Sequence, residues 1–424
     1  MGLGTEPPIM AVPETPGGAR SPRPRTGHAL TVLTALLGAL LAMPTAAAHA
    51  GGTDVYVVGV HVTQWHALLP LGLGIGTVLA SVYLPHVLRP AYSKYALYGV
   101  FAGLAVAVLG AIGLVQLSPV EWYATDPVIP RAIHDPLMLV LGLGIAVASL
   151  LGGRYRWPTR PRYAGLGILL GAWVAYPGLM AGFGIDSLTH PLGYSIVLTL
   201  PLALGYVLWR DARGLLAGLW ADRLARRFGF GVGALGVIFF LFSTGMLTII
   251  PDDGTGISLA ERIVATLPVA SPLVTWPAIE FWFPSLPLGG MFSVGMVLLL
   301  GVFGALIGLN AALVAYQWQG SEGASRSSSG SGSGTTAGTV GVAAPQACCC
   351  CGPVLSQIAI VALGPSAAAP VYLLFADPSS SIGSLFLVAS VAILTGTLVQ
   401  AGRSMPPRAS RSVERTRSLD TSGP

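Results

Sequence analysis

A chain of 424 residues that is 53% hydrophobic and only 9% charged, with a mean hydropathy of +0.72, stands far from soluble domains, in which about 25% of residues are charged. That balance excludes a water-soluble globular protein and puts most of the chain in lipid, as one helical bundle. The formal net charge of +5 comes from arginines in short loops and tails, where they act as topology determinants and give no nucleic-acid signal.

In chain order, residues 1–50 predict a cytoplasmic tail and then a signal peptide or signal anchor. Arg20, Arg23 and Arg25 precede an apolar run from Ala29 to Ala48, and Ala48-His49-Ala50 has the small-residue pattern of a cleavage site. Apolar runs of bilayer-crossing length follow near 65–87, 95–118, 136–152, 163–184, 190–209, 228–250, 286–317, 354–376 and 380–401. The expected fold is therefore all-α: a polytopic transmembrane bundle of nine helices after signal-peptide removal, ten if the first helix is retained.

The organisation expected from this is a seven-helix bundle over 51–318, a Ser/Gly-rich cytoplasmic linker over 319–347 and a two-helix hairpin over 348–402. A disordered basic cytoplasmic tail over 403–424 closes the chain. The charges agree with this count. Arg89 with Lys94, then Arg154 to Arg162, then Arg210 to Arg227, and finally Arg403 to Arg417 fall on alternate connections, while Glu121, Asp126, Asp135, Asp186, Asp252, Asp253 and Glu280 occupy the others. Cytoplasmic loops carry the basic residues, so the reading is a multi-pass protein of the cell membrane with a cytoplasmic C-terminus. The long outer connection from Pro251 to Pro287 predicts a surface helix or re-entrant piece, with a cap at Ser258 three residues before Glu261 and headgroup-level aromatics at Trp276, Phe281, Trp282 and Phe283.

Three spans open alike, with a histidine ahead of a Pro-Leu pair: His66-Ala-Leu-Leu-Pro-Leu, His134-Asp-Pro-Leu and His190-Pro-Leu. The first two run into Leu71-Gly-Leu-Gly-Ile and Leu141-Gly-Leu-Gly-Ile, which reads as a repeated hairpin start. By the charge alternation His66, His134 and His190 share one membrane face with His61, in the segment His61-Val-Thr-Gln-Trp-His66. Imidazoles suit copper, zinc, iron and nickel, and carboxylates such as Asp126, Asp135 and Asp186 can fix their tautomers. The plain alternative needs no ligand: histidine is tolerated at the wet end of a membrane helix, and proline is favoured in a first turn.

All four cysteines lie in one run, Cys348 to Cys351, followed by Gly352-Pro353 at the start of the penultimate span. Cys348 and Cys351, an i, i+3 pair, share a helix face and offer soft thiolates to a thiophilic ion; packing or lipidation are the alternatives. Cys350-Cys351-Gly352-Pro353-Val-Leu with Ala362-Leu-Gly364 resembles the vicinal-cysteine helix of the small mercuric-ion transporters. That resemblance, confined to residues 350–364, implies passage of a soft metal across the membrane.

No P-loop, H-E-x-x-H or G-x-S-x-G pattern is present, and the Gly-rich LGLGIG text lies inside a span. An enzymatic role is accordingly not favoured. Gln116 and Asn310, the conspicuous amides in or beside spans, are expected to join helices. The leading functional expectation is a membrane protein that handles or transports a transition metal such as copper, with His61, His66, His134, His190, Cys348 and Cys351 as candidate ligands. The alternatives are a permease subunit whose Arg210 to Arg227 segment docks a cytoplasmic partner, a haem-binding redox protein, and a purely structural membrane protein.

Overall fold

The computed structural model describes residues 55–57, 60–87, 93–118, 129–183, 186, 188–249, 263–283, 288–324, 354–376 and 381–404. A short hairpin of β1 (Val55–Val57) and β2 (Val60–Val62) precedes the first helix. The helices are α1 (Gln64–Val87), α2 (Ser93–Gln116), α3 (Arg131–Arg156), α4 (Pro161–Gly182), α5 (Pro191–Asp211), α6 (Arg213–Ala221), α7 (Arg223–Ser243), α8 (Val294–Ala324), α9 (Val354–Leu363), α10 (Pro365–Ala376) and α11 (Ser381–Ser404). Eight of them, α1 to α5, α7, α8 and α11, are long and apolar enough to cross a membrane.

The eight spans match the sequence reading closely, and the ninth does not. The run expected as one crossing near 354–376 is two short helices. Gly364 between them has a φ of +87°, a backbone state open to glycine, and Pro365 follows at once.

The signal-peptide region, the cysteine run and the chain from residue 405 lie outside the described residues; the first two residues of the expected tail, Arg403 and Ser404, end α11. The expected linker begins late, since α8 runs on to Ala324.

Helices pair as antiparallel neighbours, α1 with α2, α3 with α4 and α7 with α8. Small residues set the spacing, as expected where lipid supplies no hydrophobic drive. A Cβ on Gly142 of α3 would stand 2.4 Å from the Ala175 nitrogen and the Gly171 oxygen of α4, so the backbones touch. The main core lies among α4, α5, α6, α8 and α11, with Trp173, Tyr176, Leu200, Leu306, Leu313, Val391, Leu394 and Leu398 fully enclosed. Asn310 is buried there: its Nδ2 donates to the Leu306 and Leu394 carbonyls at 2.8 and 3.1 Å, and its Oδ1 accepts from Thr397 at 2.5 Å. It ties α8 to α11, as the sequence predicts.

The connection between α7 and α8 differs from expectation. Its described residues form an antiparallel sheet of β3 (Leu247–Ile249), β4 (Ile263–Val269), β5 (Trp276–Phe283) and β6 (Leu288–Ser293), in the order β3-β6-β5-β4. The aromatics from Trp276 to Phe283 therefore lie on a strand and not on a surface helix, while Ser258 and Glu261 of the expected cap lie outside the described residues. Helix α7 correspondingly stops at Ser243 and α8 starts only at Val294, which trims the spans expected near 228–250 and 286–317. The prolines explain the choice. Pro268 faces Pro277 across β4 and β5; each would break a helix interior, but both fit a pair that exchanges no hydrogen bonds. The loop between these strands turns into the bundle, where Val274 is fully buried and Trp276 packs edge-on against Tyr194 of α5, ring centroids 5.0 Å apart. The Thr275 nitrogen donates to the Leu188 carbonyl at 2.7 Å.

Candidate functional site

Chain direction gives the bundle two unlike ends. One holds the sheet and the starts of α1, α3 and α5, hence His66, His134 and His190; we call it the histidine end. The other holds Arg154, Arg156, Arg160, Arg162, Arg210, Arg213, Arg223 and Arg403 and is the arginine end.

Each described histidine is engaged with the start of its own helix. At α1, Nδ1 of His66 accepts from the Thr63 backbone N–H at 3.0 Å, with the Thr63 hydroxyl also 3.0 Å away. This places an imidazole where a capping box puts its glutamate. His190 is the N-cap residue of α5, its Nδ1 accepting from the Leu192 N–H at 3.2 Å, and Pro191 takes the first helical position, where its missing donor costs nothing. A neutral ring that accepts at Nδ1 carries its proton on Nε2. His66 and His190 in these states offer no lone pair to an ion.

His134 is different. In the first turn of α3 its Nδ1 stands 3.0 Å from Oδ1 of Asp135, and its side chain is only 17% exposed. In the neutral ring that donates Nδ1–H to this carboxylate the lone pair is on Nε2, which is the arrangement that orients metal-ligating histidines. Asp135 also lines an open groove of about 340 Å³ between α3 and α4, with Arg131, Pro136, Leu139, Gly178 and Gly182. Asp186 is committed elsewhere, accepting from the Leu188 N–H at 2.9 Å and the Thr189 hydroxyl at 3.1 Å to fold the turn before α5.

Among the described residues no group of three or more His, Cys, Asp or Glu side chains is placed to hold a metal ion. His61 lies on β2 opposite Tyr56, its side chain outside the described residues, as are Asp126 and all of Cys348 to Cys351.

Two polar arrangements that sequence reading passed over stand out. At the histidine end, the buried amide of Gln64 donates through Nε2 to the Leu114 carbonyl and to Oε1 of Gln357, both at 2.8 Å. Gln357 is 1% exposed. The bond joins α9 to the start of α1 and the end of α2, and Val354 and Val361 of α9 pack against the same apolar cluster, built on Ala67, Leu71, Ala111, Ile112, Leu114 and Phe239. The start of the penultimate span was expected at the arginine end; Gln357 sits at the other. Beside it Gln116 acts as a joint, donating to the Phe242 carbonyl and accepting from the Ile249 N–H, each at 2.9 Å.

At the arginine end, the Asp211 side chain is 4% exposed and accepts from Nε of Arg162 at 2.6 Å and from its Nη2, with Nη1 of Arg160 at 3.5 Å. The Tyr163 hydroxyl accepts from Arg160 at 3.3 Å and from Arg403, so this knot also fastens the last turn of α11 to α4. The signal was an acid inside an arginine-rich loop, Trp209-Arg-Asp-Ala-Arg213. The leucines of that loop face inward: Leu215 and Leu219 are buried in the main core, and Leu216 and Leu224 pack against it.

Fold and ends together define the class: this is a multi-pass, mostly helical membrane protein. Comparison with protein-family models, with curated proteins and with solved structures finds no match.

Proposed function

We propose that this membrane protein handles a thiophilic transition ion, copper(I) by preference, through the Cys348 and Cys351 thiolates, and that this happens at the histidine end of the bundle. The single observation that supports the location is the buried bond from Gln64 to Gln357. It sets the helix that follows the cysteines against the first turn of α1. Cys351 is three steps along the chain from Val354, a reach of at most about 11 Å at about 3.8 Å per step. Soft thiolates select Cu(I) over harder divalent ions, and the resemblance to the mercuric-ion transporter helix points to the same ligand chemistry.

In this reading the imidazoles divide by role. His134, oriented by Asp135, offers its Nε2 to an ion arriving at that end, with His61 as a further candidate ligand. His66 and His190 serve their helices as caps.

Elemental analysis and an absorption spectrum of protein purified from copper-supplied cells test this. The expected result is stoichiometric copper that persists in His66→Ala and His190→Ala and is lost in the Cys348→Ser, Cys351→Ser double variant, with no Soret band. Metal-free wild-type protein, or copper unchanged in the double variant, would sink the reading.

A further inference from the structure

The stretch from Trp209 to Arg227 holds five arginines and two aspartates, and both aspartates are used up by the fold. Asp211 is enclosed by Arg162 and Arg160. Asp222 caps α7, its Oδ1 accepting from the Leu224 and Ala225 N–H groups at 2.9 Å. Arg210, Arg213, Arg223, Arg226 and Arg227 are all exposed, and among the described residues none of them forms an ion pair.

The neighbouring knot adds to the excess, because Arg160, Arg162 and Arg403 gather around one carboxylate and one phenol. A Cβ on Gly402 would stand 2.9 Å from Cα of Ala212, so Arg403 belongs to the same corner as Arg210 and Arg213.

Aromatic rings accompany these charges. The Arg213 guanidinium lies 5.0 Å from the Trp209 ring centroid and that of Arg226 lies 5.7 Å from Trp220; the two indoles are 59% and 71% exposed. Helix α6 buries Leu215 and Leu219 in the bundle, which leaves its other face, with Trp220, turned outward.

We propose that this corner, centred on Asp211 to Arg213, binds the phosphodiester groups of anionic phospholipids from the bilayer around the bundle. Guanidinium forks match phosphate oxygens in pairs. Exposed indoles beside them favour lipid over a soluble acidic protein, since tryptophan concentrates where the acyl region meets the headgroups.

Full-length protein in detergent, offered phosphatidylglycerol or phosphatidylcholine and examined by native mass spectrometry, provides the test. The expected result is preferential retention of phosphatidylglycerol that weakens with salt, and that falls about fivefold for each arginine removed in Arg210→Gln, Arg213→Gln and Arg226→Gln. Lysine at the same positions should restore part of it, while an unchanged unfolding midpoint shows that the fold is kept. Equal retention of the two lipids by wild type at low salt overturns the proposal without any variant, and so does undiminished retention by the triple glutamine variant. Displacement by inorganic phosphate assigns the corner to a free anion and overturns it as well, as does displacement by polyglutamate, which assigns it to an acidic polypeptide.

Discussion

Gly142 and Gly144 stand two residues apart in Leu141-Gly-Leu-Gly-Ile, and only Gly142 meets another helix; around a Cβ at Gly144 nothing lies within 4 Å. In the look-alike text Leu71-Gly-Leu-Gly-Ile the roles are exchanged. There Gly72 is open, and a Cβ on Gly74 would stand 2.3 Å from the Ala107 nitrogen. Both stretches belong to tight hairpins that do repeat, but in a register two residues off the shared text: Gly74, Gly99, Gly103 and Gly110 make the contacts that Gly142, Gly167, Gly171 and Gly178 make, Gly110 against the Ala67 carbonyl and Gly178 against that of Asp135. Gly142→Ala should destabilise the protein by about 1–3 kcal/mol, the usual cost of overpacking, and Gly144→Ala should leave thermal unfolding in detergent unchanged. Equal effects of the two would mean that α3 and α4 do not pack through Gly142. The histidines carry a similar lesson: position in a helix start was legible from the sequence, but which ring nitrogen is engaged depends on Thr63, Asp135 and the Leu192 N–H.

At the scale of elements, the long helices were readable because a bilayer demands about 20 apolar residues and little else in sequence satisfies that. Shorter pieces were not. Trp276 to Phe283 is a nearly unbroken apolar run, and such a run does not separate strand from helix by periodicity; Pro268 and Pro277 carried the deciding information. The ion-pair knot was hidden for another reason, since Arg160, Arg162, Asp211 and Arg403 come from three helices far apart in sequence. Removing its acid tests its weight. Asp211→Asn leaves two arginines, Arg160 and Arg162, against a neutral amide and should cost about 3 kcal/mol, near the low end for a broken buried pair. Arg160→Gln, one-third exposed at 34%, should cost less than about 1 kcal/mol. Unfolding midpoints measured in one detergent check both, and an unshifted midpoint for Asp211→Asn would remove the knot from the account of stability.

Over the whole molecule, the alternation of charged loops predicted two unlike ends, and the antiparallel course of the helices gives the bundle those ends. Where α9 attaches was not readable, because its buried polar partner is remote: Gln64 and Gln357 are 293 residues apart in the chain. That attachment brings the helix after the cysteines to the end that carries His66 and His134. The direct measurement is a cross-link. With Cys348 to Cys351 replaced by serine, Gln64→Cys and Gln357→Cys are treated with a short bis-maleimide, and the chain is cut at a protease site placed between residues 325 and 341. The account predicts that the two fragments stay joined on a denaturing gel, and that Arg213→Cys paired with Gln357→Cys gives none of this product. Fragments that separate in the first case would contradict it.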